Sequence, residues 1–320
     1  MKKSCFLLSV LPVSAALDAA ACDVCAIYNA PLAHHVYGAG FHMGIAEQFT
    51  HFGTIQVDGK EMPNEFGQRL DSSISQVALG YQFTDRFGVQ FNLPVIYRSF
   101  RRLEEDVVRS GTESGIGDAA LLGNYVVLRR DKEDWSLAWQ VFGGVKFPTG
   151  DTDRLREELE EGPETGGGAG HKSAIHGHDL TLGSGAYDGI VGTDTYFRWR
   201  RLFFTAGMQY AIHSRGDFDY EFADDLTWSG GPGAYLVFNE NWIVGLQANV
   251  SGEHKGKDNL AGQKADDTAL TAVYLGPQLS VTWKGRLTAE VGAAWPVHLD
   301  NSATQIVPDY RITGALSWRF

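Results

Sequence analysis

The chain closes on a strict alternation. Tyr310, Ile312, Gly314, Leu316, Trp318 and Phe320 fall on one face of an extended segment, and Arg311, Thr313, Ala315, Ser317 and Arg319 on the other. A period of two with one apolar face predicts a half-buried β-strand. The pattern recurs upstream. Val77, Leu79, Tyr81 and Phe83 form one apolar row, and Phe87, Val89, Phe91, Leu93, Val95 and Tyr97 a second. Trp135, Leu137, Trp139, Val141, Val145 and Phe147 form another, then Phe204, Met208, Tyr210 and Ile212. Trp242, Val244, Leu246 and Val250, and finally Leu287, Val291, Trp295 and Val297, complete the series. All these strands are of one kind and none supplies an opposing sheet, so lipid is the solvent expected at their apolar faces.

A second rhythm runs above the alternation. Short turns at 84–86, 129–134, 200–201, 239–241 and 284–285 alternate with polar loops at 53–68, 101–113, 149–185, 217–225 and 254–267, and a last loop precedes the closing strand. About twelve strands result, beginning near 40–52. The expected fold class is therefore all-β: a transmembrane antiparallel β-barrel of bacterial outer-membrane type over 39–320, in the cell outer membrane, with the short turns periplasmic. Glu47 breaks the pattern, falling on the lipid face of the first strand unless a bulge shifts the register.

The amino-terminal residues fit export. Lys2 and Lys3 precede an apolar run at 6–17, and Ala19-Ala20-Ala21 supplies a small-residue cleavage site, so 1–21 reads as a signal peptide. No other stretch approaches the roughly 18 uninterrupted apolar residues of a membrane helix. Residues 22–38 lack alternation and are expected to form a periplasmic or lumenal segment. Of the three cysteines, Cys5 leaves with the signal peptide, and Cys22 and Cys25 remain as a disulfide pair in an oxidising compartment. Ala26 rather than His follows Cys25, which excludes covalent haem attachment at this motif. A metal held by Cys22, Cys25, His34 and His35 stays open as an alternative, as does acylation of Cys22. No cofactor is otherwise implied.

A formal charge of −12 argues against a nucleic-acid partner. The expected partners are outer-membrane lipid and lipopolysaccharide around the wall, a small-molecule solute inside it, and the barrel assembly machinery at Phe320. By alternation, Gln90, Asn92, Arg98, Asp118, Lys146, Asp194, Arg198, Glu290, Arg311 and Arg319 point inward, with Gln140, Gln209, Gln247 and Asn249 and the aromatics Phe142, Phe203 and Tyr274. Such a set is either a salt-bridged ladder or the lining of a watery pathway. Loop 149–185 carries Asp151, Asp153, Glu157, Glu158, Glu160, Glu161, Glu164, His171, His176 and His178 in no spacing that fixes a metal geometry, so it is expected to be solvated and mobile. A lipid hydrolase would need a Ser–His pair on the outer wall. His213 and Ser214 are adjacent, which sends them to opposite faces, and no other Ser and His are expected to meet there. Twelve strands are also too few to sheathe a folded electron-transfer protein, because diameter grows with strand number.

Four short motifs stand in order: Gly115-Ile-Gly-Asp118, Gly144-Val-Lys-Phe-Pro-Thr-Gly-Asp151, Gly183-Ser-Gly-Ala-Tyr-Asp188, and Pro308-Asp-Tyr-Arg311 running into Ser317-Trp-Arg-Phe320. Together they resemble the outer-membrane transporter family labelled "putative meta-pathway of phenol degradation", over most of the chain after about residue 40. The resemblance implies a barrel passing small, often hydrophobic or aromatic compounds. The segment 22–35 departs from that family, which leaves a structural or docking barrel, metal-linked through its Cys and His residues, as the alternative role.

Overall fold

The structure, a computed structural model, describes residues 39–104, 107–161 and 173–320. The expected signal peptide, Cys22, Cys25, His34, His35, Glu164 and His171 lie outside the described residues.

Twelve wall strands form a closed antiparallel meander. They are β1 (Gly40–Val57), β2 (Arg69–Gln82), β3 (Phe87–Glu104), β4 in two parts, β4a (Val107–Ile116) and β4b (Ala120–Asp131), β5 (Trp135–Lys146) and β6 (Asp188–Trp199). Then come β7 (Leu202–Ile212), β8 (Asp225–Phe238), β9 (Trp242–Lys255), β10 (Leu270–Trp283), β11 (Leu287–Asn301) and β12 (Thr304–Arg319). The closing seam runs from His42 opposite Arg319 to Val57 opposite Thr304. Closure removes the unpaired edge that a sheet in lipid could not tolerate.

Alternation sorts the side chains as the sequence predicts. Leu246, Trp242, Trp139, Val291 and Trp295 are exposed on the outside, while Gln90, Asn92, Gln247 and Tyr274 are buried inside. The short turns share one end. At Lys284-Gly285 both residues have positive φ, 49° and 63°, the twist a two-residue hairpin requires.

Three expectations need correction. First, the strand β1 extends to Val57, past the expected loop boundary, and β11 joins β12 by a tight turn at Ser302-Ala303 instead of a loop. Asp58 ties this turn to β1: Ala303 donates its N–H to the Asp58 carboxylate. Second, β4 is broken at Gly117–Ala119, facing Pro94, whose missing N–H interrupts the ladder. Beyond the break β4a pairs with β3 alone, and its other edge faces loop residues across a cleft of about 590 Å³. Third, the described parts of loop 149–185 are folded into the barrel. Ala174, Ile175 and Leu180 pack on Phe52, Leu70 and Phe100, and Leu182 reaches Ala46, Ile74 and Ile96, all inward-facing wall residues.

Candidate functional site

The site is the lumen, built from the inward rows of all the strands and narrowed by that loop. Gly117 lets the chain turn tightly against Pro94 and Ile96, and the break aims Asp118 at the loop. Its carboxylate accepts from the N–H groups of Thr149 (3.1 Å) and Gly150 (3.0 Å) on one oxygen. On the other it accepts from the Ser184 N–H (2.8 Å) and hydroxyl (3.0 Å). Lys146 Nζ lies 2.6 Å from Asp188 and 3.5 Å from Asp118, all three buried. His213 continues the series between Asp188 (2.9 Å) and Asp225 (3.1 Å). Buried charges survive here because each is paired and hydrogen-bonded. The two legs of the loop run backbone against backbone: Leu182 and Gly183 both donate to the Asp151 carbonyl. A Cβ at Gly150 would sit 2.5 Å from the Leu182 carbonyl oxygen, and one at Gly183 2.6 Å from Asp118. Three of the four sequence motifs thus meet in one clasp at the base of the plug.

Arg98, from β3, donates to the carbonyls of Asp179 (2.5 Å) and Thr181 (2.6 Å) and gives the plug a second anchor, nearer the loop end of the barrel. Above it, helix α1 (Leu155–Glu161) and the single turn α2 (Gly177–Leu180) meet through Glu158 and His178, whose Nδ1 lies 2.9 Å from Oε1. Burial alone would lower the His178 pKa, yet the Asp179 and Glu158 carboxylates outweigh it and push it up to about 10. Burial would raise Glu158, but His178 brings it down to about 2. The pair is ionic through the neutral range. Leu155, Tyr220, Phe222 and Leu260 pack over it as an outer cap.

The residues expected to line a pore therefore divide. Arg98, Asp118 and Lys146 hold the plug. Gln90 donates to Asn92 (2.7 Å), Gln140 to Asp194 (3.2 Å) and Gln278 to Glu290 (2.9 Å) on the lumen wall. Arg198 donates to Ser136 (3.0 Å) near the short turns, and Arg319 faces inward at the same end. Arg311 meets Glu253, with Nη2 3.2 Å from both oxygens. Between β8 and β12 a cavity of about 180 Å³ remains, lined by Thr205, Gln247, Asn249, Gln278, Glu290 and Thr313 among others. Elsewhere in the lumen both amide atoms of Gln76, Oε1 of Gln90 and Nδ2 of Asn92 are buried without a protein hydrogen-bond partner. Orphaned polar groups in this number belong to a wet interior rather than a dry core.

Two features lie on the outer wall. The register of β1 is continuous through Glu47, so this carboxylate faces lipid, where Ser73 (2.5 Å) and Ser75 donate to it. His51 and Ser73 share the outer face of β1 and β2, correcting the expectation that no such pair exists there. They engage different carboxylates: His51 Nδ1 is 2.6 Å from Asp71, and Ser73 donates to Glu47. His213 and Ser214 diverge as expected, with Ser214 donating to the Tyr187 carbonyl. Sequence reasoning missed the inward fold of the loop. Its signal was the apolar set Ala174, Ile175, Leu180 and Leu182 within an otherwise charged and glycine-rich stretch.

No family model matches the chain, and no curated protein matches its sequence. Its structure is similar to that of an outer membrane channel from Pseudomonas putida F1, with a TM-score of 0.60 at 13% identity, covering 91% of this chain and 98% of that one. This chain has the fold of an outer-membrane β-barrel. Weaker likenesses are to the translocator domain of the autotransporter NalP from Neisseria meningitidis (TM-score 0.40, 11% identity, 89% and 90% covered) and to a Pseudomonas aeruginosa FadL homologue (0.35, 10%, 88% and 90%). Those two share the general architecture and carry no further argument.

Proposed function

We propose that this barrel passes small organic solutes passively across the outer membrane. The observation that carries the reading is the lumen: the amide side chains of Gln76, Gln90, Asn92, Gln247 and Asn249 line it, and both amide atoms of Gln76, Oε1 of Gln90 and Nδ2 of Asn92 have no protein partner. A lining of this kind exchanges hydrogen bonds with a solute that has a few polar groups, and inward aromatics such as Phe142, Phe203 and Tyr274 offer it apolar surface. The likeness to a solved outer membrane channel supports a channel role, and the four-motif resemblance supports hydrophobic or aromatic compounds as the solute class. The chain carries no nucleotide-binding motif, so gradient-driven diffusion is the economical driving force.

Residues 22–38 belong to the proposal as a second, periplasmic-side constriction reaching into the lumen. Deleting 22–36 is expected to raise single-channel conductance while the barrel stays folded; unchanged conductance would mark the segment as a periplasmic tail that docks a partner or a metal. Liposome swelling on refolded protein tests the reading as a whole. Swelling with small uncharged organic solutes is expected, and impermeability to every one of them, with and without 22–36, would leave a structural or docking barrel.

A further inference from the structure

We propose that the Arg311–Glu253 ion pair is the specificity-determining barrier of this passage, dividing its open half into an outer and an inner chamber. The inference rests on the passive-passage reading above. Glu253 projects from β9 and Arg311 from β12, so their contact spans the lumen in front of β10 and β11. Tyr274, from β10, stands beneath: its hydroxyl donates to Glu253 Oε1 at 2.6 Å, and the Arg311 guanidinium lies 4.3 Å from its ring centroid. Arg311 Nε also donates to Thr50 of β1 at 3.3 Å. Both charged side chains are nearly fully buried, at 8% and 4% exposure.

Placement gives the pair its role. Arg311 and Glu253 line the inner cavity of about 180 Å³, with Gln247 and Glu290. They also line a smaller outer space of about 60 Å³, against His178 and Asp179 of the plug and Lys255 of β9. No other described residue borders both. On the β1–β3 side the plug packs against Phe52, Leu70 and Phe100, held by Arg98. A solute moving between the two spaces has to pass the pair.

The chemistry selects against ions. Paired, the two groups cancel at a distance, while close up they offer a donor fork and an acceptor to a neutral hydroxyl or amide. In a confined, weakly polarisable passage an unpaired charge acts on ions far more strongly than in water. Uncharged molecules with one or a few hydrogen-bonding groups are therefore the class admitted.

The test is the reversal potential in planar bilayers for the full chain and four variants. Arg311→Gln unmasks Glu253 and is expected to raise the cation-to-anion permeability ratio several-fold. Glu253→Gln unmasks Arg311 and is expected to lower it several-fold. The double variant should return near the wild-type ratio with a higher conductance, and Arg311→Lys should keep the wild-type ratio. Heat-modifiable migration on gels confirms that each barrel has folded; where one single variant fails to fold, the shift in the other single variant, set against the unmoved ratios of the double variant and Arg311→Lys, carries the comparison. Conducting barrels whose ratio is unmoved, or moves the same way in both single variants, would overturn the barrier. Silence in every barrel, even with the plug loop shortened, would remove the passage reading and this proposal with it.

Discussion

His178 and Glu158 set a pH window for the plug. The raised pKa of His178, about 10, means that its contribution is complete below the ordinary histidine value near 6.5 and is lost as pH climbs through 10. The lowered pKa of Glu158, about 2, means that its contribution is complete above the ordinary value near 4.5 and is lost as pH falls through 2. The two helices should therefore be held most firmly between about pH 4.5 and 6.5. Proteolytic nicking of the loop, measured against pH, should be slowest there and should accelerate toward pH 10, and His178→Gln should flatten the alkaline limb. A rate that does not change from pH 5 to pH 10 would contradict the role of the His178–Glu158 pair. At the same scale, Glu47 faces lipid, and a charge there is costly, though less so for carboxylates than the roughly 2–4 kcal/mol found for Arg or Lys at mid-membrane. Glu47→Gln keeps a partner for Ser73 and Ser75 and removes the charge, so chemical denaturation should show equal or greater stability. A clear loss would mean that the charged acceptor, not merely a hydrogen-bonding one, holds Ser73 and Ser75 in place. Alternation alone revealed Glu47, whereas the pairing of His178 with Glu158 depends on how a loop folds, which no local period encodes.

Strands were legible because their physics is local. Each wall strand separates lipid from lumen every second residue, and Trp139, Leu246 and Val291 on one side against Gln90 and Gln247 on the other follow from the period alone. The register is testable on β9. Leu246→Arg places a cation on the lipid face and should cost roughly 2–4 kcal/mol in refolding equilibria. Gln247→Arg points into the cavity that Glu290 also lines and should cost far less. A reversed order of losses would mean that the inward and outward rows are exchanged. The break in β4 and the plug were not legible as structure, although their residues were already conspicuous as glycine-rich motifs. Gly115–Asp118, Gly144–Asp151 and Gly183–Asp188 lie far apart in sequence and meet in the fold, through Asp118, Lys146 and Asp188 and through the backbone of Thr149, Gly150 and Gly183. Charge density led the loop to be read as solvated, yet its carboxylates find Arg102, Arg154 and His178, and its apolar residues find the wall.

At the scale of the whole molecule, acidic residues concentrate at the loop end, around 157–160 and 217–225. They should give the conducting barrel a weak cation preference at low ionic strength. That preference should fade above about 0.1 M salt, where screening acts within about 10 Å. A strong anion preference at low salt would contradict it. A closed barrel with a polar lumen is thus narrowed on its outer side by one inward-folded loop, anchored by Arg98 and Asp118. The most direct measurement compares the single-channel conductance of the full chain with that of a variant in which 153–180 are replaced by a short Gly-Ser linker. The barrel wall does not include these residues, so heat-modifiable migration should be retained. Conductance should rise several-fold, and liposomes should become permeable to larger uncharged solutes. A correctly folded variant that conducts no better than the full chain would contradict the account.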